Sequence, residues 1–306
     1  MQSEAFFDKY DSYDIYYKND PMIAVTLKKS SSPADNGFYQ IEFDIPGTKK
    51  SVFITGLTAK NVQSAQDSLL ASYTGKEDFS IYDLDFIDAE KIGEGGVDSE
   101  LCWAGQASDM LTYAGWTKKA GFSGEDDIFE LFSEHFFDRA GVCSTAISWF
   151  MNGNNQGSST KDLKKGAFLP QYPYNTVFKS NYITGYGGGK GNSSVLFYRD
   201  MFSSLRRGDA VGFDISWLNS EGTADSGHAL TLFGYVYNKS YTDDSLKHYD
   251  SVIIADSDND KGVYGDRTEA PNSLSITHTK SCTYDSQKTL LMDRYGNGVI
   301  TSFHTL

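Results

Sequence analysis

A cysteine, a histidine and a carboxylate occur in this chain in the order that thiol catalysis uses. Cys102 lies in the run SELCWAGQA, where a helix is predicted to begin. His228 precedes the apolar run ALTLFGY, and Asp256 follows the apolar run SVIIA. In such a set the thiolate is the nucleophile, the imidazole transfers the proton, and the carboxylate orients the imidazole. The order of these residues therefore indicates nucleophilic attack on a carbonyl group.

The position of Cys102 at a helix start favours this chemistry. A catalytic cysteine must react as the thiolate, and the backbone N–H groups and dipole of a helix N-terminus favour negative charge. Ala104, Gly105 and Ala107 are small and are expected to leave this turn open to a substrate. The alternative is a buried structural cysteine, the ordinary reading of one cysteine at a helix start.

His228 and Asp256 each have a structural alternative. Among five histidines, His228 alone is followed by a strong apolar strand, and Gly227 is expected to allow close approach of a facing helix. A structural histidine at a strand start remains possible. For Asp256 the alternatives are a solvated acidic turn and a calcium loop. The calcium loop fails because Arg267 stands at the twelfth loop position, where an EF-hand needs glutamate.

Length and charge limit the possible classes of protein. The 306 residues suit one large domain or two modest ones, with enough apolar residues for a core. A net charge of −14 argues against sequence-independent binding to nucleic acid or to an anionic membrane, since both need a basic surface. No apolar run approaches the roughly 20 residues of a membrane span.

The hydrophobic pattern predicts an α+β protein with two regions. Residues 1–85 form an N-terminal α/β segment without a catalytic signature, and residues 86–306 form the catalytic domain. Strands are predicted at 23–27, 38–45, 51–55, 210–215, 229–235 and 251–255, and helices at 59–72, 102–116, 127–137, 143–151 and 195–205. The catalytic domain thus has helices first and antiparallel strands later, so that a helical layer faces a sheet.

The catalytic segments together resemble the IdeS/Mac family of bacterial immunoglobulin-degrading cysteine endopeptidases. The resemblance runs in blocks between residues 86 and 258: FIDAEK, LC followed by DML, WFMNG, the histidine, and ADSD. The sequence departs from the family pattern at Trp103, where the family prefers glycine. Residues 1–85 match the family poorly.

The resemblance implies a fold and a set of roles. The fold would be papain-like, with a helical layer carrying the cysteine against an antiparallel sheet carrying the histidine and aspartate. Cys102 would be the nucleophile, and His228 the base and then the acid for the leaving amine. Asp256 would orient His228, and Asp258 would assist. Lys91 would stabilise the oxyanion together with the Cys102 backbone N–H. The resemblance implies neither a metal nor an organic cofactor.

The function implied is that of a secreted bacterial hydrolase, a thiol protease and virulence factor. It would cleave the heavy chain of a host immunoglobulin through a thioester acyl-enzyme. The N-terminal run MQSEAF lacks a signal-peptide pattern, which fits either a cytoplasmic protein or an exported one whose signal has been removed. The resemblance favours a secreted or cell-surface protein. Two alternatives stay open: a papain-like protease or amidase with another protein substrate, and a binding protein that does not cleave.

The three cysteines leave at least one free thiol, because their number is odd. In an exported protein Cys143 and Cys282 could form a disulfide and leave Cys102 free. The alternative, which the residue type favours, is that both are ordinary buried thiols.

Overall fold

The fold of the chain is described by a computed structural model. It describes residues 12–16, 24–29, 38–58, 60–72, 79–81, 86–91, 98–154, 166–172, 194–219, 224–258, 273–284, 287–292, 295–296 and 298–306. The described helices are α1 (Val62–Ser72), α2 (Cys102–Tyr113), α3 (Trp116–Ala120), α4 (Glu125–His135), α5 (Cys143–Asn152) and α6 (Ser194–Arg207).

The strands that the structure describes follow the same chain order. They are β1 (Ser12–Tyr16), β2 (Ala24–Lys29), β3 (Tyr39–Asp44), β4 (Lys50–Leu57), β5 (Phe79–Ile81), β6 (Val211–Leu218), β7 (Ala224–Asn238), β8 (Tyr249–Ala255), β9 (Leu274–Tyr284), β10 (Gln287–Met292) and β11 (Gly298–Thr305).

Six of these strands close into an antiparallel barrel. The pairing runs from β7 through β6, β11, β10 and β9 to β8, and β8 pairs again with β7. In the register, Thr231 of β7 lies opposite Ala255 of β8, and His228 of β7 lies opposite Ile215 of β6. The residue that follows β8 therefore lies beside the part of β7 that carries His228.

The barrel corrects the predicted fold class. The prediction was a papain-like α+β fold in which a helical layer faces an antiparallel sheet. This prediction is wrong, because six strands form a closed barrel, which the described ranges combine with six helices. The cysteine does lie on a helix and the histidine on an antiparallel strand. The strands β9, β10 and β11, which the hydrophobic pattern did not predict, complete the closure.

Strands from the N-terminal region continue the sheet beyond the barrel. β4 pairs with β7, β3 with β4, β2 with β3, and β1 with β2. Glu42 of β3 accepts two hydrogen bonds from the guanidinium of Arg206 in α6, at 2.7 and 3.0 Å. This charge pair is half-buried, and the guanidinium of Arg206 stacks on the ring of Phe53. The pair fixes the strands before residue 58 to the helix that packs on the barrel.

Two hydrophobic clusters lie on opposite sides of β7 and β8. The first joins α2, α4 and α5 to one face of the sheet, and includes Ala229, Phe233 and Ile253. The second joins α6 to side chains of β6, β7, β8, β10 and β11, and includes Leu230 and Ile254. Adjacent strand residues thus alternate between the two clusters, as a sheet buried on both faces requires.

The predicted helices and strands agree with the structure apart from their ends and one interruption. The helix predicted over 102–116 is divided, because Gly115 adopts a left-handed conformation with φ 78° and separates α2 from α3. Glycine adopts this conformation without the steric cost that a Cβ would impose, so it ends the helix there.

Candidate active site

Cys102 is the first residue of α2, as the sequence predicts, and its side chain is half-buried. The first backbone N–H groups of a helix have no acceptor within the helix, so they are available to a negative group at this position. Leu101, directly before it, is fixed by a bond from its backbone N–H to the carbonyl of Asp98 at 3.0 Å. The thiol therefore lies at a rigid helix N-terminus at the edge of the core.

A polar stripe along α2 fixes this helix to the sheet. Gln106 donates from Nε2 to the carbonyls of Phe213 and Leu230, at 2.9 and 2.8 Å. Asp109 accepts a bond from the hydroxyl of Thr231 at 2.7 Å. The spacing of residues 102, 106 and 109 puts them on one face of the helix. The stripe thereby sets the position of the thiol relative to β7.

The small residues of α2 serve packing rather than access. Ala104, Gly105 and Ala107 are buried, so the prediction that they leave the turn open to a substrate is wrong. A Cβ added at Gly105 would lie 3.2 Å from Cβ of Ser257, in the turn after β8. The missing side chain lets the helix approach the turn that carries Asp256.

Two other residues beside the predicted site differ from expectation. Trp103 points into the core, where its indole donates to the carbonyl of Arg139 at 3.0 Å and its ring packs against Phe136. A bulky residue next to the cysteine therefore does not occupy the reactive side of the helix start. Gly227 approaches β6, since an added Cβ would lie 3.1 Å from the carbonyl of Ile215, and not a facing helix as predicted.

His228 links the thiol to a carboxylate. Its Nε2 lies 2.7 Å from Oδ1 of Asp256, and both side chains are buried. The side chain of Cys102 also interacts with this imidazole and is among the groups that raise the pKa of His228. Because Nε2 is engaged by Asp256, Nδ1 is the ring nitrogen left for the thiol. The three predicted residues thus meet in the order thiol, imidazole, carboxylate.

Asp256 has two further hydrogen-bond donors, which hold its carboxylate in place. The hydroxyl of Tyr295 donates to Oδ2 at 2.5 Å, and the backbone N–H of Asp258 donates to Oδ1 at 3.1 Å. Sequence reasoning missed Tyr295, which lies in a short turn between β10 and β11 and has no motif around it. Its only sequence signal is an aromatic residue in a polar turn.

Burial and charge shift the pKa values of this pair in opposite directions. Burial alone lowers the pKa of His228, but the charge and hydrogen bond of Asp256, with a smaller contribution from Cys102, outweigh it and raise this pKa to about 10. Burial raises the pKa of Asp256, yet His228, Tyr295 and the Asp258 backbone N–H lower it to about 2. At neutral pH the pair is therefore an imidazolium beside a carboxylate.

Lys91 lies in a buried segment between α2 and the turn after β8. The backbone N–H of Ala89 donates to Asp109 at 2.8 Å, and that of Lys91 donates to the carbonyl of Ser257 at 3.2 Å. The ammonium of Lys91 donates to the carbonyl of Ser99 at 2.6 Å and lies 2.8 Å from Oδ2 of Asp258. Lys91 therefore connects the chain just before Cys102 to the turn of Asp256 and Asp258.

His228, Asp256 and Asp258 are residue types that could also bind a metal ion. One ligand atom each from His228, Asp256 and Asp258 lies within 4.8 Å of the others. Two carboxylates here already face two cations, the imidazolium of His228 and the ammonium of Lys91. Both oxygens of Asp256 also accept hydrogen bonds. An added cation would have to break these bonds, so the charge balance favours a proton-transfer site.

Replacing Lys91 tests the buried ion pair. We expect Lys91→Met to lower the free energy of unfolding by about 3 kcal/mol, because it leaves the carboxylate of Asp258 buried without its partner. The matched control is Lys239→Met, which breaks an exposed pair with Asp44 and should cost below about 1 kcal/mol. Urea denaturation measures the loss of unfolding free energy in each variant. Equal losses in the two variants would contradict the burial of the Lys91–Asp258 pair.

The shifted pKa values predict how stability depends on pH. Because the pKa of His228 rises from 6.5 to about 10 on folding, its contribution is complete below pH 6.5 and is lost as pH rises to 10. Because the pKa of Asp256 falls from 3.8 to about 2, its contribution is complete above pH 3.8 and is lost as pH falls to 2. Between pH 6.5 and 10 the free energy of unfolding should fall more steeply for the wild type than for His228→Gln. Urea denaturation at each pH measures this free energy. If it falls with pH equally in the wild type and in His228→Gln, the pair is not ionised as described.

Cys143 is a second free thiol, in different surroundings. It is fully buried in α5, its Sγ lies 3.6 Å from the sulfur of Met110, and burial raises its pKa well above the ordinary value. A disulfide to Cys282 is thereby excluded, and the side chain of Cys282 lies outside the described residues. Cys143 is thus an inert thiol against which the behaviour of Cys102 can be compared.

Comparison of the chain with protein-family models, with curated proteins and with solved structures finds no match in any of the three. Within the described ranges, none of the helices has the length and apolar character needed to cross a membrane.

Proposed function

We propose that this protein is a cysteine endopeptidase with Cys102 as its nucleophile. The observation that supports the proposal best is the position of His228, which is hydrogen-bonded to the buried carboxylate of Asp256 and interacts with the side chain of Cys102. The position of Cys102 at a helix N-terminus adds donors for a negative charge.

In the first step the sulfur of Cys102 attacks the carbonyl carbon of a peptide bond, and the carbonyl electron pair moves to the oxygen. The backbone N–H of Cys102 faces the developing oxyanion, and the ammonium of Lys91 adds positive charge from the neighbouring segment. The tetrahedral species then collapses as the C–N bond breaks. His228 gives its proton to the leaving amine, which departs and leaves a thioester on Cys102.

In the second step water hydrolyses the thioester. His228, now neutral, takes a proton from the water as its oxygen attacks the thioester carbon. The C–S bond breaks, the acid product leaves, and the sulfur returns to the thiolate beside the imidazolium. Asp256 keeps its hydrogen bond to Nε2 throughout, so it holds the ring orientation and balances the charge of the imidazolium.

The substrate is proposed from the resemblance of the site segments to the IdeS/Mac family. On that basis the enzyme is a secreted bacterial protein that cleaves the heavy chain of a host immunoglobulin. Another protein substrate, or binding without cleavage, would be compatible with the same scaffold. An activity that is lost when either Cys102 or His228 is replaced would distinguish an enzyme from a binder, because binding alone needs neither group to react.

The experiment is incubation of immunoglobulins G, A and M with the wild-type protein, followed by fragment sizing on a denaturing gel. Cleavage of one class would support both the protease and its substrate. Intact immunoglobulins, together with cleavage of a denatured protein such as casein, would retain the protease and reject the substrate. Co-elution with an immunoglobulin that stays intact, without cleavage of any other protein, would favour the binder.

A further inference from the structure

We infer that Tyr295 is a positioning residue, whose hydroxyl holds the carboxylate of Asp256 in the orientation that keeps His228 aligned with Cys102. The inference rests on the proposed function and adds a residue to its machinery. Tyr295 is 1% exposed, and its hydroxyl donates to Oδ2 of Asp256 at 2.5 Å. Oδ1 of the same carboxylate accepts from His228, so the two donors fix both ends of the carboxylate group.

The turn that carries Tyr295 is itself fixed to the barrel. The indole of Trp217 in β6 donates to the backbone carbonyl of Tyr295 at 2.6 Å. The ring of Tyr295 belongs to the barrel cluster and lies with its centroid 6.1 Å from that of His228. The phenol therefore approaches Asp256 from a backbone that is hydrogen-bonded to β6.

Loss of the hydroxyl would leave a buried carboxylate oxygen without its donor. A buried acceptor that loses its partner pays the full cost of its desolvation. The carboxylate would then turn to seek another donor, and Oδ1 would face Nε2 less of the time. The imidazolium would in turn support the thiolate of Cys102 less well, although no atom of Tyr295 touches the thiol or a substrate.

Tyr295→Phe tests this role, and Tyr198→Phe is its matched control. Tyr198 is equally buried in the barrel cluster, and its hydroxyl bonds to Thr289 at 2.8 Å and not to the site. Each variant removes one buried phenolic oxygen. The titratable side chains that face the His228–Asp256 pair in the described structure are Cys102 of α2, Asp258 of the turn after β8, Lys91 of the segment 86–91, and Tyr295 itself.

The readout is the rate of iodoacetamide alkylation at Cys102 between pH 4 and 9, followed by mass spectrometry of the peptide that contains it. We expect Tyr295→Phe to react about tenfold more slowly than wild type near pH 6 and to move the acid limb of the profile to higher pH. Tyr198→Phe should follow the wild-type profile, with a similar loss of Tm in both variants.

Two outcomes would overturn the inference, and they are distinguishable. In the first outcome, Cys102 of the wild type is activated and Tyr295→Phe has the same alkylation rate at every pH. This result would reject the role of Tyr295 and leave the proposed function standing. A wild type whose Cys102 reacts only at the pH of an ordinary thiol would reject the proposed function and the inference together.

Discussion

Cleavage of any substrate that the wild type cleaves will fall by at least about 10³-fold when Cys102 is replaced by alanine. The proposed reaction forms a covalent bond to this sulfur, so no other side chain can replace it in the acyl-enzyme. The variant should remain folded, because the side chain of Cys102 is only half-buried and α2 is fixed by Gln106 and Asp109.

Cys143→Ala is the matched control for this variant. It removes a thiol of the same size, in the same protein, from a fully buried position that the reaction does not use. We expect it to lose some thermal stability and to retain its cleavage rate. Loss of cleavage in Cys143→Ala with retention in Cys102→Ala would reverse the assignment of the nucleophile.

Asp256→Asn should lower kcat/KM by about 10²- to 10³-fold while leaving the protein folded. The substitution keeps the shape of the side chain but removes the charge that chiefly raises the pKa of His228 above its ordinary value. The loss should be smaller than in a serine enzyme, since a thiolate formed before attack needs less help from the base. The alkaline limb of the rate profile should also move to lower pH.

Asp44→Asn controls for the loss of one negative charge. Asp44 lies on β3, pairs with Lys239 at the surface and belongs to no contact of the site. Its replacement should leave both kcat/KM and the alkaline limb unchanged. If Asp256→Asn behaved in the same way, the carboxylate would have no role in orienting or charging the imidazole.

The reactive residues could be predicted from sequence because Cys102 begins a helix, Asp256 follows a strand, and His228 directly precedes the apolar part of β7, although β7 itself already begins at Ala224. A cysteine at a helix start, a histidine before an apolar strand and an aspartate after one are visible in the hydrophobic pattern. The structure brings Cys102, His228 and Asp256 together, and places Asp258 and Lys91 beside them as an ion pair. Their chemical roles remain proposals that the experiments above address.

The supporting residues could not be predicted in this way. Tyr295 and Gln106 act through hydrogen bonds to partners far along the chain, and a single sequence carries no record of such pairs. The burial of the polar face of α2 could not be predicted either, because polar residues such as Asp109 and Gln106 are ordinarily expected at the solvent-exposed surface. Their burial depends on carbonyls and hydroxyls that β6 and β7 present to the helix.

The barrel was missed for a related reason. Its closure depends on the pairing of β9 with both β8 and β10. The segment that forms β9, LSITHTKSCTY, mixes polar and apolar residues without a run long enough to predict a buried strand. Strand order in a sheet is set by long-range pairing, so local patterns predicted most of the earlier strands but not the way in which the sheet closes.

The most direct test of the central claim is the rate of Cys102 alkylation by iodoacetamide at pH 6, in the wild type and in His228→Ala. A thiol paired with an imidazolium at a helix N-terminus reacts at this pH, whereas an ordinary thiol with a pKa of about 8.5 is almost wholly protonated. We expect fast reaction in the wild type and a loss of at least about tenfold in His228→Ala. Equal and slow rates in the two proteins would contradict the claim that His228 activates Cys102.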